Sequence, residues 1–208
     1  MLFIQILFTN PSLYIMWVSL VVLSVWLHEA AHIMAAYSQG DDTAYRSGYL
    51  FNPIKQMGIV SIMALILVGI TWGAVPVNYM NMKKRYSPAI VALAGPITNF
   101  ILFLAFCYAG TLVFEKTGGD LHSLLFQFFF IGGILNFVLF IFNLIPVPPL
   151  DGWTVLLTLV PKITRVNQEL RNGIMFGIFA LLFLSFSQLF IFGQYAVGLT
   201  MKFFSLMF

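Results

Sequence analysis

Apolar residues gather along this chain in runs. Four of them, 12–37, 88–114, 123–146 and 172–192, reach the roughly 20 residues that a helix needs to cross a bilayer. A fifth run, 58–77, is just long enough, but Gly58, Gly69, Gly73 and Pro76 break it up, so it either crosses or dips in and returns. The apolar tail after Gly193 is short and reads as a sixth, partial or interfacial helix. Between the runs, the polar stretches 38–56 and 161–172 are too short to fold alone. The pattern predicts a single membrane-embedded domain over 1–208, all α and polytopic, with about five to six transmembrane helices. The opening MLFIQILFTNP has no basic n-region and no small-residue cleavage site, so it is expected to stay as a lead-in to the first span.

Composition agrees with a membrane solvent. The 208 residues are 61% hydrophobic and 8% charged, with a mean hydropathy of +0.96, against about 25% charged residues in an ordinary soluble domain. A net charge of +3 is too small to suggest a nucleic-acid partner. The single cysteine, Cys107, can form no intramolecular disulfide and reads as a small buried or lipid-facing residue.

Within the first run, after the uncharged LYIMWVSLVVLSVWL, comes HEAAH. An acidic side chain at the bilayer centre costs at least ~2.5 kcal/mol on insertion scales, so Glu29 needs a partner or a task. His28 and His32 are four residues apart and share one helix face, where both reach one metal ion. Glu29 lies beside them, placed to take a proton from a metal-activated water. The competing reading is a hydrogen-bonded polar cluster that holds helices together. Hydrolytic zinc sites usually have three protein ligands, so a third is sought.

Asp41 and Asp42, just beyond the span, read as a solvated helix terminus. Glu115, Asp120 and His122 share the loop EKTGGDLH, and Glu169 lies among Lys162, Arg165 and Arg171; solvation accounts for all of them. Asp151 differs. It follows an apolar span within NLIPVPPLDGW, where Pro146, Pro148 and Pro149 stop the helix and hold an extended backbone. A carboxylate fixed at such a break suits a metal, and it could also cap the short helix WTVLLTLV.

HEAAH followed by GDDTA, LFNP, PVN, ALAGPITN and NLIPVPPLDG resembles the site-2 protease family of intramembrane zinc metalloproteases, most of all its compact bacterial and archaeal members without PDZ or CBS domains. The likeness covers about residues 20–160. It implies one Zn2+ per chain held by His28, His32 and Asp151, with Glu29 as catalytic base and Asn143 helping to hold the substrate backbone or the reaction intermediate. It assigns Gly95, Pro96 and Asn99 to a helix packed between the two catalytic spans, with Pro146, Pro148 and Gly152 as structural neighbours of the site. The implied substrates are transmembrane proteins or leftover signal peptides in a prokaryotic cell membrane. Two departures stand out: Trp153 where the family often has a second glycine after LDG, and Gln56 where similar members often have histidine. The oligomeric state is not legible.

Charge tests the topology. If 58–77 re-enters, Arg46, Lys55, Lys83, Lys84, Arg85, Lys162, Arg165 and Arg171 share one face, with Lys116 opposite. The positive-inside rule makes that face cytoplasmic. Both catalytic spans then run the same way and the zinc lies toward the cytoplasmic half. The stretch TAYRSGYLFNPIKQ, 43–56, reads as a short hairpin-like or extended segment; by resemblance it would pair with an unwound substrate. Two other functions use the same residues: a metal transporter, which would want acidic groups at several depths, and a non-catalytic scaffold that binds helices.

Overall fold

The computed structural model describes residues 3–165, 168–184 and 186–207. A short lead-in, Phe3–Gln5 and α1 (Ile6–Thr9), precedes the first long helix, α2 (Pro11–Gln39). Its boundaries follow from sequence chemistry. The Asn10 side chain accepts a hydrogen bond from the Leu13 amide, Pro11 takes a position where no N–H is needed, and Gly40 ends the helix at φ 105°. After α3 (Thr43–Arg46), α4 (Pro53–Val68) starts in the same way, with Asn52 capping the Lys55 amide. The remaining helices are α5 (Ser87–Lys116), α6 (Leu124–Leu144), α7 (Asp151–Leu159), α8 (Gln168–Leu184) and α9 (Phe186–Ser205).

Among the described residues, α2, α5 and α6 are the helices long and apolar enough to cross a membrane. Pairings along them fix their directions. Ser87 Oγ at the start of α5 donates to Gln39 Oε1 at the end of α2, and Asn99 reaches His28, so α2 and α5 are antiparallel. Asn99 also meets Asn136 of α6, and Phe106, two turns further along α5, packs on Gly132, so α6 runs the same way as α2. Lipid gives apolar side chains no reason to prefer each other, so close approach through small residues carries the association. A Cβ on Gly132 would fall 2.6 Å from the Phe106 ring. Around this contact Met16, Leu20, Val21, Val25, Met57, Leu65 and Leu135 form one apolar core. Phe103, Cys107, Ile134, Val138 and Val197 form a second, which brings in α9, and Cys107 is wholly buried there.

Run 58–77 re-enters. Helix α4 ends at Gly69, φ 85°, and the chain returns beside it with neither helix nor strand. Trp72 exchanges backbone hydrogen bonds with the Ser61 hydroxyl, Ala74 N–H donates to the Gln56 carbonyl, and Asn78 N–H reaches Asp41 at the end of α2. Both ends of the segment therefore lie at the same end of the bundle. Lys83 is there too, its N–H on the Gln39 carbonyl, while Lys116 ends α5 at the other end. The side chains of Arg165 and Arg171, counted for the basic face, lie outside those described.

One expectation is corrected. Stretch 43–56 forms no hairpin; among the described residues there is no strand. Local bonds decide this: Arg46 and Ser47 amides donate to the Asp42 and Thr43 carbonyls, Tyr49 N–H to Ala44, and the Asn52–Pro53 start makes 53–56 helical, set off from the rest of α4 by a kink at Gly58, φ 75°. The turn and cap residues override the β preference of Tyr45, Tyr49 and Phe51. Run 172–192 falls on α8 and the first part of α9, with residue 185 between them outside the described residues. Gly193 lies inside α9, its bare Cα packed on α6, where a Cβ would come 3.1 Å from Ile134 Cγ2.

Candidate metal centre

The helical spacing predicted for HEAAH holds. His28, Glu29 and His32 are all buried on α2, 6–7% exposed, and the two imidazole Nε2 atoms are 3.0 Å apart. Asp151, far off in sequence, completes the group. Its Oδ2 lies 3.2 Å from His28 Nε2 and its Oδ1 3.3 Å from His32 Nε2. Leu150, not Asp151, caps α7, so the Asp151 carboxylate is free of the capping role open to it from sequence. What aims it is the break after α6. Gly152 lets the start of α7 lie directly against the Leu144 carbonyl, where any Cβ would overlap backbone, while Val147 and Leu150 turn inward and Pro146 and Pro148 outward.

Helix α5 forms the wall behind the imidazoles. A Cβ at Gly95 would sit 2.5 Å from His28 Cε1 and from Nε2 of both rings, so only glycine leaves room for them. Pro96 and Asn99 are buried on the same helix. His32 Nδ1 is 2.7 Å from the Val91 carbonyl, which can only accept; Nδ1 therefore carries a proton, and in the neutral ring Nε2 is the bare lone pair. His28 Nδ1 is 2.6 Å from Asn99 Oδ1.

These atoms fit zinc. Tetrahedral ligands at roughly 2.0–2.1 Å from an ion lie roughly 3.3 Å from one another, close to the spacings of 3.0, 3.2 and 3.3 Å here. Asp151 Oδ2 is buried and receives no hydrogen bond. Such an orphaned carboxylate oxygen, beside a bare imidazole lone pair, needs a cation to offset its burial. Among the described residues, His28, His32 and Asp151 are the group of His, Cys, Asp or Glu side chains that can converge on one ion.

The other sequence candidates fall elsewhere. Asn143, near the C-terminus of α6, spends its Nδ2 on the Leu139 carbonyl one turn back. Glu115, Asp120 and His122 are exposed, as expected of a solvated loop. Asp41 is not solvated. It is 2% exposed and accepts from the Thr43 hydroxyl and amide, the Asn78 amide and Asn81 Nδ2. Burial alone would raise its carboxyl, and these hydrogen bonds overcome that effect and hold it below the usual carboxylate value. Gln56, which stands where similar chains often have histidine, is buried and ties the 49–50 turn through Nε2 to two carbonyls.

One neighbour of the site was missed by sequence reasoning. The return 70–78 passes over Glu29 so closely that a Cβ at Gly73 would overlap its carboxyl group. The glycine was legible only as a helix breaker.

A family model described as Peptidase family M50 matches residues 16–118 and 112–185. The chain is 36% identical over 176 residues to "Putative zinc metalloprotease YwhC" of Bacillus subtilis, covering 79% of this chain and 78% of that protein. "Putative zinc metalloprotease Rip2" of Mycolicibacterium smegmatis is 31% identical over 64% of this chain, which spans about half (52%) of that protein's length. "Putative zinc metalloprotease MJ0611" of Methanocaldococcus jannaschii is 29% identical over 72% of this chain and 74% of its own. No solved structure matches. With the HEAAH helix, the distant aspartate and the family match in agreement, the chain belongs to Peptidase family M50, the zinc metalloproteases that its motifs resemble.

Proposed function

We propose that this protein is an intramembrane zinc endopeptidase that hydrolyses peptide bonds within or near transmembrane segments of membrane-protein or signal-peptide substrates. One observation carries the reading. Three metal-ligand side chains and an acid meet in the buried interior between two helices that cross the membrane and the short helix α7. Glu29 lies there too, 6% exposed.

His28, His32 and Asp151 would hold the ion, whose chemistry when bound is Lewis acidity toward water and a carbonyl oxygen. The rest is the work of the chain's own residues. Glu29 accepts the proton of the attacking water and returns it to the leaving amine. The return segment 70–78 screens Glu29 from lipid, and Gly73 lets its backbone lie against the carboxyl group. Asn143 is the candidate to hold the substrate backbone beyond α6. Its Oδ1 and the second hydrogen of Nδ2 are left for that role once the first is given to Leu139.

Purified wild type and Glu29→Gln, offered a panel of single-span peptides with zinc determined on both, test this. Wild type is expected to cut, while the variant retains zinc and loses at least 100-fold in rate, the lower range for a general base. A variant that cuts as fast as wild type removes Glu29 from the role. Ion flux through zinc-loaded liposomes without peptide cleavage would favour a transporter instead.

A further inference from the structure

His32 is oriented by a backbone carbonyl, but His28 faces a side-chain amide, whose two ends could in principle be exchanged. A buried chain of hydrogen bonds decides which way it points. Asn136 of α6 donates both hydrogens of Nδ2, one to the Gly132 carbonyl and one to Ser24 Oγ, each at 2.9 Å. The Gly132 carbonyl can only accept, so this end of Asn136 must be the nitrogen. Its Oδ1 is then the acceptor for Asn99 Nδ2 at 3.0 Å. That leaves Asn99 Oδ1 facing His28 Nδ1 at 2.6 Å, and the ring nitrogen has to donate. Ser24, Asn99 and Asn136 are all 0% exposed, so water is not at hand to replace a lost partner.

We propose that Asn136, steadied by Ser24, is a positioning residue for the metal site: through Asn99 it sets the proton on His28 Nδ1 and presents Nε2 as a bare lone pair. The inference rests on His28 being a zinc ligand, as proposed above. The two histidines thus reach the same tautomer by different routes. His32 does so in one bond to α5, and His28 through three bonds that cross from α2 to α5 to α6 and end on a backbone carbonyl. Ser24 is one helical turn before His28 on α2, so the chain returns to the helix it started from. Outer partners of a ligating histidine fix its tautomer and ring orientation, and losing them typically lowers metal affinity 10- to 100-fold.

The test uses the 208-residue chain in detergent and reads zinc, not turnover. Chelator competition gives the zinc dissociation constant of wild type, Asn136→Leu and His28→Ala, with thermal unfolding as a check that each is folded. Nitrogen chemical shifts of the His28 ring in the zinc-free wild type report its tautomer directly. Expected are a proton on His28 Nδ1 and a 10- to 100-fold loss of zinc affinity in folded Asn136→Leu. An amide that merely joined helices would lower the unfolding temperature and leave zinc affinity in place. A proton on Nε2 in wild type, or affinity within twofold in folded Asn136→Leu, overturns the proposal. Should that variant not fold, the wild-type tautomer decides alone. Wild-type affinity in His28→Ala would instead overturn the ligand reading itself.

Discussion

Gly95 shows how little slack the centre has. Its missing Cβ is the space in which both imidazoles stand, with three ring atoms at 2.5 Å from where that carbon would be. In Gly95→Ala the rings or the helix must move. A displacement of about 1 Å at a catalytic group costs on the order of 100-fold in rate. The variant is therefore expected to fold, to bind zinc more weakly and to lose about two orders of magnitude in peptide cleavage, read by kinetics and chelator competition on the same preparation. Unchanged cleavage would mean that α5 gives way at no cost. At this scale the sequence was informative wherever spacing has a meaning. Residues i and i+4 of a helix face one ion, and an aspartate behind a proline break is out of place unless it has a task. Asn99 was legible only through resemblance. Asn136 was not legible at all: a lone amide in a phenylalanine-rich span has no partner at a set spacing, and its partners come from three different helices.

Between Gly69 and Asn78 the chain has neither helix nor strand, and its path over Glu29 is held by a few side chains. Ser61 grips Trp72, and Asp41 grips Asn78 and Asn81. The 43–56 stretch was expected to be hairpin-like or extended, yet it forms turns and helix, and the non-helical stretch beside Glu29 is 70–78. Aromatic content is a weak guide where Asp, Gly and Asn-Pro dictate turns, while the glycines and proline of 58–77 did mark the place where helix gives out. The anchor makes a pH prediction. The Asp41 carboxyl is lowered in the fold relative to the unfolded chain. Its contribution is present in full above the ordinary carboxylate value of ~3.9 and is lost as pH falls through the lower, folded value. At neutral pH Asp41→Asn is expected to leave the Asn78 amide poorly paired, at about 1–3 kcal/mol. Limited proteolysis should then cut sooner within 70–81. Because the variant lacks the titrating group, the gap between the two proteins should close in strong acid. A gap that is constant with pH would show that the charge does not matter.

For the molecule as a whole, the shared direction of α2 and α6 decides what faces what. It brings the end of the HEAAH helix, the re-entrant segment and the break before Asp151 to one end of the bundle, together with Arg46, Lys55 and Lys83–Arg85. His28 is 11 residues before the end of α2, about 16 Å at 1.5 Å per residue, so the centre is well inside the bundle on its basic side. The loop carrying Lys116 is at the far end of α5. Basic residues are retained on the cytoplasmic side, and water for hydrolysis would then enter from the cytoplasm. A cysteine placed at Lys84 should escape a membrane-impermeant maleimide in intact cells and react once the cells are opened, whereas one at Lys116 should react in both. The native Cys107 is wholly buried and adds no background. The opposite labelling pattern would turn the bundle over and put the metal centre toward the outer half. The same helices and the same residues would then serve substrates cut from the other side.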